Sequence, residues 1–183
     1  MINSAPLLGR TTQLTALVEA IDAAAGGAGS VAFVEGEPGI GKTALVDTAV
    51  RHAVGSDVRV CRAAALEIES LRPFGVLCDA LGIGPDGAGR REREIARLLS
   101  IGDGPHPAQG SADGWAVLQF QAAEALLALV DEMSGSGPVV LVVEDLHWAD
   151  PASLTALARL GHAVASSALF VIGTLRPLPR RAE

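Results

Sequence analysis

Gly36-Glu37-Pro38-Gly39-Ile40-Gly41-Lys42-Thr43 is the stretch around which the rest of the chain is read. It fills every fixed position of G-x-x-x-x-G-K-[ST], with an apolar run before it and a helix-like run after it, the setting of a phosphate-binding (Walker A) loop. The residue types have a mechanism. Glycines let the backbone wrap a triphosphate with its N–H groups turned inward, and a helix starting at Lys42 adds the partial positive charge of its N-terminus. Lys42 is expected to reach the β- and γ-phosphates and the Thr43 hydroxyl to ligate Mg²⁺, with Glu37, Pro38, Gly39, Ile40 and Gly41 completing the nucleotide-binding set. Lys42 is also the only Lys among 14 basic residues, a compact ammonium where a planar guanidinium fork would not fit.

Working outward, apolar residues at Leu14, Leu17, Val18 and Ile21 predict an amphipathic helix over 11–25, stopped by Gly26-Gly27. Ser30 to Glu35 reads as a short buried strand, Lys42 to Val54 as a helix and Asp57 to Ala63 as a second strand. Pro73 is expected at the first turn of a helix carrying Phe74, Leu77 and Leu81. Residues 82–114 read as an insertion: two Gly/Pro/Asp-rich loops around a short charged helix over 91–100. A longer helix from Trp115 to Met133 is predicted to face the core with Val117, Leu118, Leu126, Leu127 and Val130, and to end at Ser134-Gly135-Ser136-Gly137-Pro138.

Val139-Val140-Leu141-Val142-Val143 is apolar without alternation, the mark of a strand buried on both faces, as in a parallel sheet covered by helices. Pro151 to Ala165 follows as a helix with Asp150 as N-cap, and Ala168 to Thr174 as a fourth strand. Strands alternating with helices predict one α/β three-layer domain of the P-loop NTPase type over 1–183.

The apolar strand runs directly into Glu144-Asp145, at the end where open parallel sheets bind ligands. Such a carboxylate holds Mg²⁺ in a P-loop protein, so the pair resembles Walker B. If Glu144 takes the metal, Asp145 is left as the base that orients attacking water; if Asp145 takes it, no base follows. The first assignment is preferred because Glu144 directly follows the apolar run. His147 is read as a hydrogen-bonded loop residue and Trp148 as a packing anchor.

A net charge of −7 argues against a nucleic-acid surface on this segment. Cys61 and Cys78 have the spacing of neither a metal site nor a disulfide framework and read as buried free thiols. With no signal-peptide pattern at Met1-Ile2-Asn3-Ser4-Ala5-Pro6 and no apolar run near ~18 residues, a cytoplasmic protein without membrane attachment is expected.

Leu8-Gly9-Arg10, G-E-P-G-I-G-K-T, Arg72-Pro73-Phe74-Gly75, V-V-E-D-L-H-W-A-D-P at 142–151 and G-T-L-R-P at 173–177 together resemble the ATPase domain of large LuxR-type bacterial transcriptional regulators. That domain is grouped with the STAND ATPases and is often labelled Orc1-like AAA. The resemblance covers the chain except 82–114, and E-D-L-H-W-A-D-P is its most specific part. It implies that Gly9 and Arg10 lie near the adenine and that Arg176 is a sensor reaching the γ-phosphate, with Thr174 a weaker alternative. An Arg at a strand end beside the phosphate loop also suits transition-state charge. The resemblance further implies a strand order of 5-1-4-3-2, of which this chain would supply 1-4-3-2, leaving the first strand as an edge open to self-association.

The function expected is an ATP- and Mg²⁺-binding, slowly hydrolysing switch module, the DNA-binding domain lying elsewhere in a full-length protein. Two alternatives stand beside it. A small-molecule P-loop kinase would need an Arg-rich lid, which the basic helix in 82–114 could supply. A truncated interaction fragment would have lost nucleotide affinity.

Overall fold

The computed structural model describes residues 9–55, 57–84, 89–99 and 112–177. Strands β1 (Ser30–Glu35), β2 (Arg59–Ala64), β3 (Val139–Glu144) and β4 (Leu169–Leu175) form one parallel sheet in the order β1-β4-β3-β2. This is a P-loop NTPase arrangement, with the strand order that the resemblance implies. Helices α1 (Thr11–Ala25) and α2 (Lys42–Gly55) cover one face, and α3 (Gly75–Leu81), α4 (Arg90–Leu98), α5 (Ala112–Ser136) and α6 (Pro151–Ala163) lie on the other.

The alternation of side chains along each strand divides the core in two. Val140, Val142, Phe170 and Ile172 pack with Leu17, Ile21, Leu45, Val46 and Ala49 of α1 and α2. Val139, Leu141, Val143, Leu169 and Val171 pack with Leu77, Leu126, Val130 and Leu160 of the opposite layer. Every residue of β3 is buried, as its unbroken apolar run requires. Cys61 and Cys78 are buried free thiols; burial pushes Cys78 up to about 12, which keeps it protonated and unreactive. Among the described residues no helix is long and apolar enough to cross a membrane.

The structure departs from the sequence reading in several places. β1 is not buried throughout: it is an edge strand, and Phe33 is 65% exposed. Pro73 does not open α3. Phe74 stands before the helix in a left-handed conformation (φ 58°), with its N–H taken by the Asp150 carboxylate 76 residues away. Helix α5 continues through Ser134-Gly135-Ser136, where the hydroxyls of Ser134 and Ser136 bond back to the carbonyls of Asp131 and Glu132. Its buried stripe is Ala122, Leu126, Leu129 and Val130, and Val117 falls off that stripe at 54% exposed. Leu8 and most of the loop expected over 101–114 lie outside the described residues.

Candidate functional site

In a parallel sheet the C-terminal ends of all strands lie on one side, and there β1 passes into the 36–41 loop, β3 into Asp145 and β4 into Arg176. The loop is tied to β4 through Gly36 N–H and the Leu175 carbonyl, 3.2 Å apart. Gly39 (φ 76°) and Gly41 (φ 90°) occupy the left-handed region that side-chain-bearing residues rarely adopt. The first α2 amide bonded within the helix is Leu45 N–H, to Gly41 O at 3.1 Å. The amides of Lys42, Thr43 and Ala44, in the first turn, therefore lack helical partners and face the loop with the helix dipole behind them.

Lys42 is only 8% exposed. Its Nζ donates to the Gly36 carbonyl (2.7 Å) and the Glu37 carbonyl (3.2 Å), so the ammonium is folded under the loop. Thr43 Oγ1 donates to Glu144 Oε2 at 2.8 Å, a contact between residues 101 apart in sequence. The loop threonine and the carboxylate at the end of β3 are thus adjacent.

Arg62 of β2 completes the arrangement, and sequence reasoning missed it. Its Nε and Nη2 donate to Glu144 Oε1 (2.9 and 2.6 Å) and its Nη1 donates to Asp47 Oδ1 (2.6 Å) on α2. Burial lowers the affinity of this guanidinium for its proton, but the hydrogen bonds and charges of Glu144 and Asp47 outweigh it and leave the pKa above the ordinary arginine value. The register explains the meeting. Arg62 pairs with Val142 and Ala64 with Glu144, so Val60, Arg62, Val142 and Glu144 share the sheet face that α2 covers. The signal in the sequence was an Arg two residues after Val60, on the strand face that packs partly against the core.

Asp145 adopts a left-handed conformation (φ 53°), and its N–H bonds to Thr174 Oγ1 at 2.9 Å. Thr174 thus braces the turn after β3. The Asp145 carboxylate has no hydrogen bond or ion pair among the described residues. Arg176 is exposed immediately beyond the residue whose carbonyl meets Gly36. Gly9 (φ 81°) and Arg10 lead into α1, where the Arg10 carbonyl accepts from Leu14 N–H, and no hydrogen bond joins them to the loop among the described residues.

Asp150 is the N-cap of α6, as the sequence predicts: Oδ1 accepts from Ser153 N–H and Phe74 N–H, both at 2.9 Å, and Oδ2 from the Ser153 hydroxyl at 2.6 Å. His147 is a correction. Both ring nitrogens are buried without a hydrogen-bond partner among the described residues, and the ring lies 5.1 Å from that of Trp148, which packs against the α3–α6 side of the core. Helix α4 lines a cleft with Arg59, at the N-terminal end of β2, and with Glu132 and Ser136 of α5. That is the end of the sheet opposite the phosphate loop, so α4 does not supply the lid that phosphoryl transfer to a second substrate would need.

The donor set suits Mg²⁺. This ion takes hard oxygen ligands and is held by one or two protein groups together with substrate phosphates and water. Thr43 and Glu144 offer such oxygens side by side, and among the described residues no cluster of three His, Cys, Asp or Glu forms a metal cage independent of a nucleotide.

The chain matches a family described as AAA ATPase domain over residues 6–172. It is 26% identical over 192 residues to an uncharacterized protein of Rhizobium meliloti (strain 1021), covering 94% of this chain and 19% of that protein. In fold it is similar to the Orc1 protein of Aeropyrum pernix, solved in complex with DNA, with a TM-score of 0.54 at 18% identity over 94% of this chain and 40% of the other. A Drosophila ORC structure, bound to AT-rich DNA and Cdc6, matches with a TM-score of 0.41 at 12% identity, over 91% of this chain and 49% of that one.

Proposed function

This chain belongs to the AAA ATPase domain family, and from that membership we propose that it binds Mg·ATP through the 36–43 loop, hydrolyses it slowly and acts as the nucleotide switch of a LuxR-type transcriptional regulator of the STAND group. The observation that carries the nucleotide reading is the 2.8 Å contact between Thr43 and Glu144, which joins the phosphate loop to the strand-end carboxylate.

The proposed roles are these. Lys42 exchanges the carbonyls of Gly36 and Glu37 for β- and γ-phosphate oxygens, a short movement of an ammonium already under the loop. Thr43 and Glu144, the latter through water, hold Mg²⁺, which neutralises phosphate charge when bound. The unengaged carboxylate of Asp145 orients water, and Arg176 reaches the γ-phosphate from the end of β4. Gly9 and Arg10 flank the adenine. Nucleotide state then biases a two-state arrangement with parts of a longer protein, an idea supported by the small share of the Rhizobium relative that this chain spans. Residues 1–183 act as one module with 82–114 as a variable insertion. DNA binding in the cytoplasm is assigned to another domain, and the β1 edge is available for self-association.

The test is a calorimetric titration of ATP with Mg²⁺ into the wild type and Lys42→Ala. Losing a charge-assisted bond of about 1.5–3 kcal/mol should weaken binding roughly 10- to 150-fold. Equal affinities would overturn the reading.

A further inference from the structure

We propose that Arg62 is a positioning residue for the metal-binding carboxylate: it fixes Glu144 Oε1 so that Oε2 faces Thr43, and so sets how strongly Mg²⁺ assists ATP binding. The inference rests on the Mg·ATP reading of the site and extends it to a residue on a different strand.

Three observations carry it. First, the guanidinium engages only one oxygen of Glu144, through both Nε and Nη2, while the other oxygen accepts from Thr43. A carboxylate at the end of a strand rotates about its side-chain bonds; holding one oxygen from two directions defines where the other points. Second, Arg62 is anchored on its far side by Asp47 of α2, the helix that begins with Lys42 and Thr43. The guanidinium therefore spans the helix that follows the loop and the strand that carries Glu144, and a shift of either is felt by the other. Third, the charges leave the site acidic. Asp47 and Glu144 carry two negative charges against the single positive charge of Arg62, so the group keeps a net charge of about −1 and orients Glu144 without cancelling its attraction for a cation.

Groups that orient a metal ligand from behind it affect metal affinity by about 10- to 100-fold when removed. That leads to a specific signature. ATP affinity is measured by calorimetry with saturating Mg²⁺ and with EDTA, in the wild type, Arg62→Gln, Arg62→Lys and Asp47→Asn, alongside thermal melts of each. For Arg62→Gln the affinity in EDTA should fall only slightly, by the effect of losing one positive charge near the phosphates, because the loop and Lys42 are intact, while the gain produced by Mg²⁺ should fall by about 10-fold or more. Arg62→Lys, which restores a charge but reaches only one partner at a time, should recover part of that gain, and Asp47→Asn should lower it less than Arg62→Gln does.

A purely structural role would lower affinity equally in Mg²⁺ and in EDTA, in step with the melting temperature, and would overturn the proposal. An unchanged or increased Mg²⁺ gain in Arg62→Gln would also overturn it, the increase meaning that Arg62 acts as a competing cation. If Arg62→Gln does not fold, the Arg62→Lys and Asp47→Asn pair decides on the same criterion. Failure of the wild type to bind ATP in either condition would overturn the Mg·ATP reading itself, a result distinct from an unaltered Mg²⁺ gain in the variants.

Discussion

Glu144 and Asp150 stand at the two ends of one short segment after β3, and both are buried, at 8% and 3% exposure. Their partners differ in kind. Asp150 is satisfied by two backbone N–H groups and a neighbouring hydroxyl, joining the start of α6 to the lead-in of α3. Among the described residues the Glu144 carboxylate is held by side chains, from Thr43 on α2 and Arg62 on β2. A carboxylate bonded to fixed backbone cannot change partners without unmaking two helix starts, whereas one bonded to rotatable side chains can release a hydroxyl to a ligand. Burial is common to the two carboxylates; what differs is whether their partners are fixed backbone or rotatable side chains.

The hardest way to break this contrast is Asp150→Ala. It removes the α6 cap, at about 0.5–2 kcal/mol, and leaves the buried Phe74 N–H without an acceptor, at about 1–3 kcal/mol. Chemical denaturation should report a loss of about 1.5–5 kcal/mol, with ATP affinity of the folded fraction unchanged. A loss of Mg²⁺-dependent binding instead would move Asp150 into the site.

Thr174→Val probes the ground between the two carboxylates. It keeps the shape of a fully interior β4 residue but strips the acceptor from Asp145 N–H, so stability should fall by about 1–3 kcal/mol in the same assay. Phosphate release should fall with it if the turn conformation at Asp145 matters for turnover. Unaltered turnover at reduced stability would confine Thr174 to holding the fold.

Glu144→Gln should have the smallest effect on stability, within about 1 kcal/mol, the size of a single hydrogen bond, because the amide keeps an acceptor oxygen and Arg62 keeps Asp47. Its effect should appear in the Mg²⁺ dependence of ATP binding. Destabilisation as large as that of Asp150→Ala, with Mg²⁺ dependence intact, would erase the distinction between the two residues.

Much of the molecule was legible in the sequence because its causes are local. β1 starts and ends at the predicted residues, and α1 spans the predicted 11–25, since amphipathic period and glycine stops are properties of a short window. The Asp150 cap was legible for the same reason: Asp before Pro151 is a helix-start signal by itself. Where the reading failed, a distant partner had decided the matter. Pro73 looked like a first-turn proline, but an acceptor 76 residues away holds Phe74 outside the helix. His147 was expected to be hydrogen-bonded, and packing beside Trp148 buried its ring nitrogens without partners among the described residues. Val117 was counted as core from its apolar character, though the helix presents a different stripe to the sheet.

The sequence by itself determined the phosphate loop, whose glycines at φ 76° and 90° are the chemical requirement for that backbone path, and determined that 139–143 must be covered on both faces. It also placed Lys42 and Thr43 at the start of α2 and Glu144 at the end of β3. Only the tertiary structure decided that Thr43 and Glu144 touch, and that Arg62 and Asp47 hold Glu144 from behind. Those contacts join residues 15, 82 and 101 positions apart, and they exist because the order β1-β4-β3-β2 and the β2–β3 register set Arg62 and Glu144 on one face beneath α2. Periodicity in a chain reports which face a residue belongs to; which strand lies next to it, and at what register, is settled only by the assembled sheet.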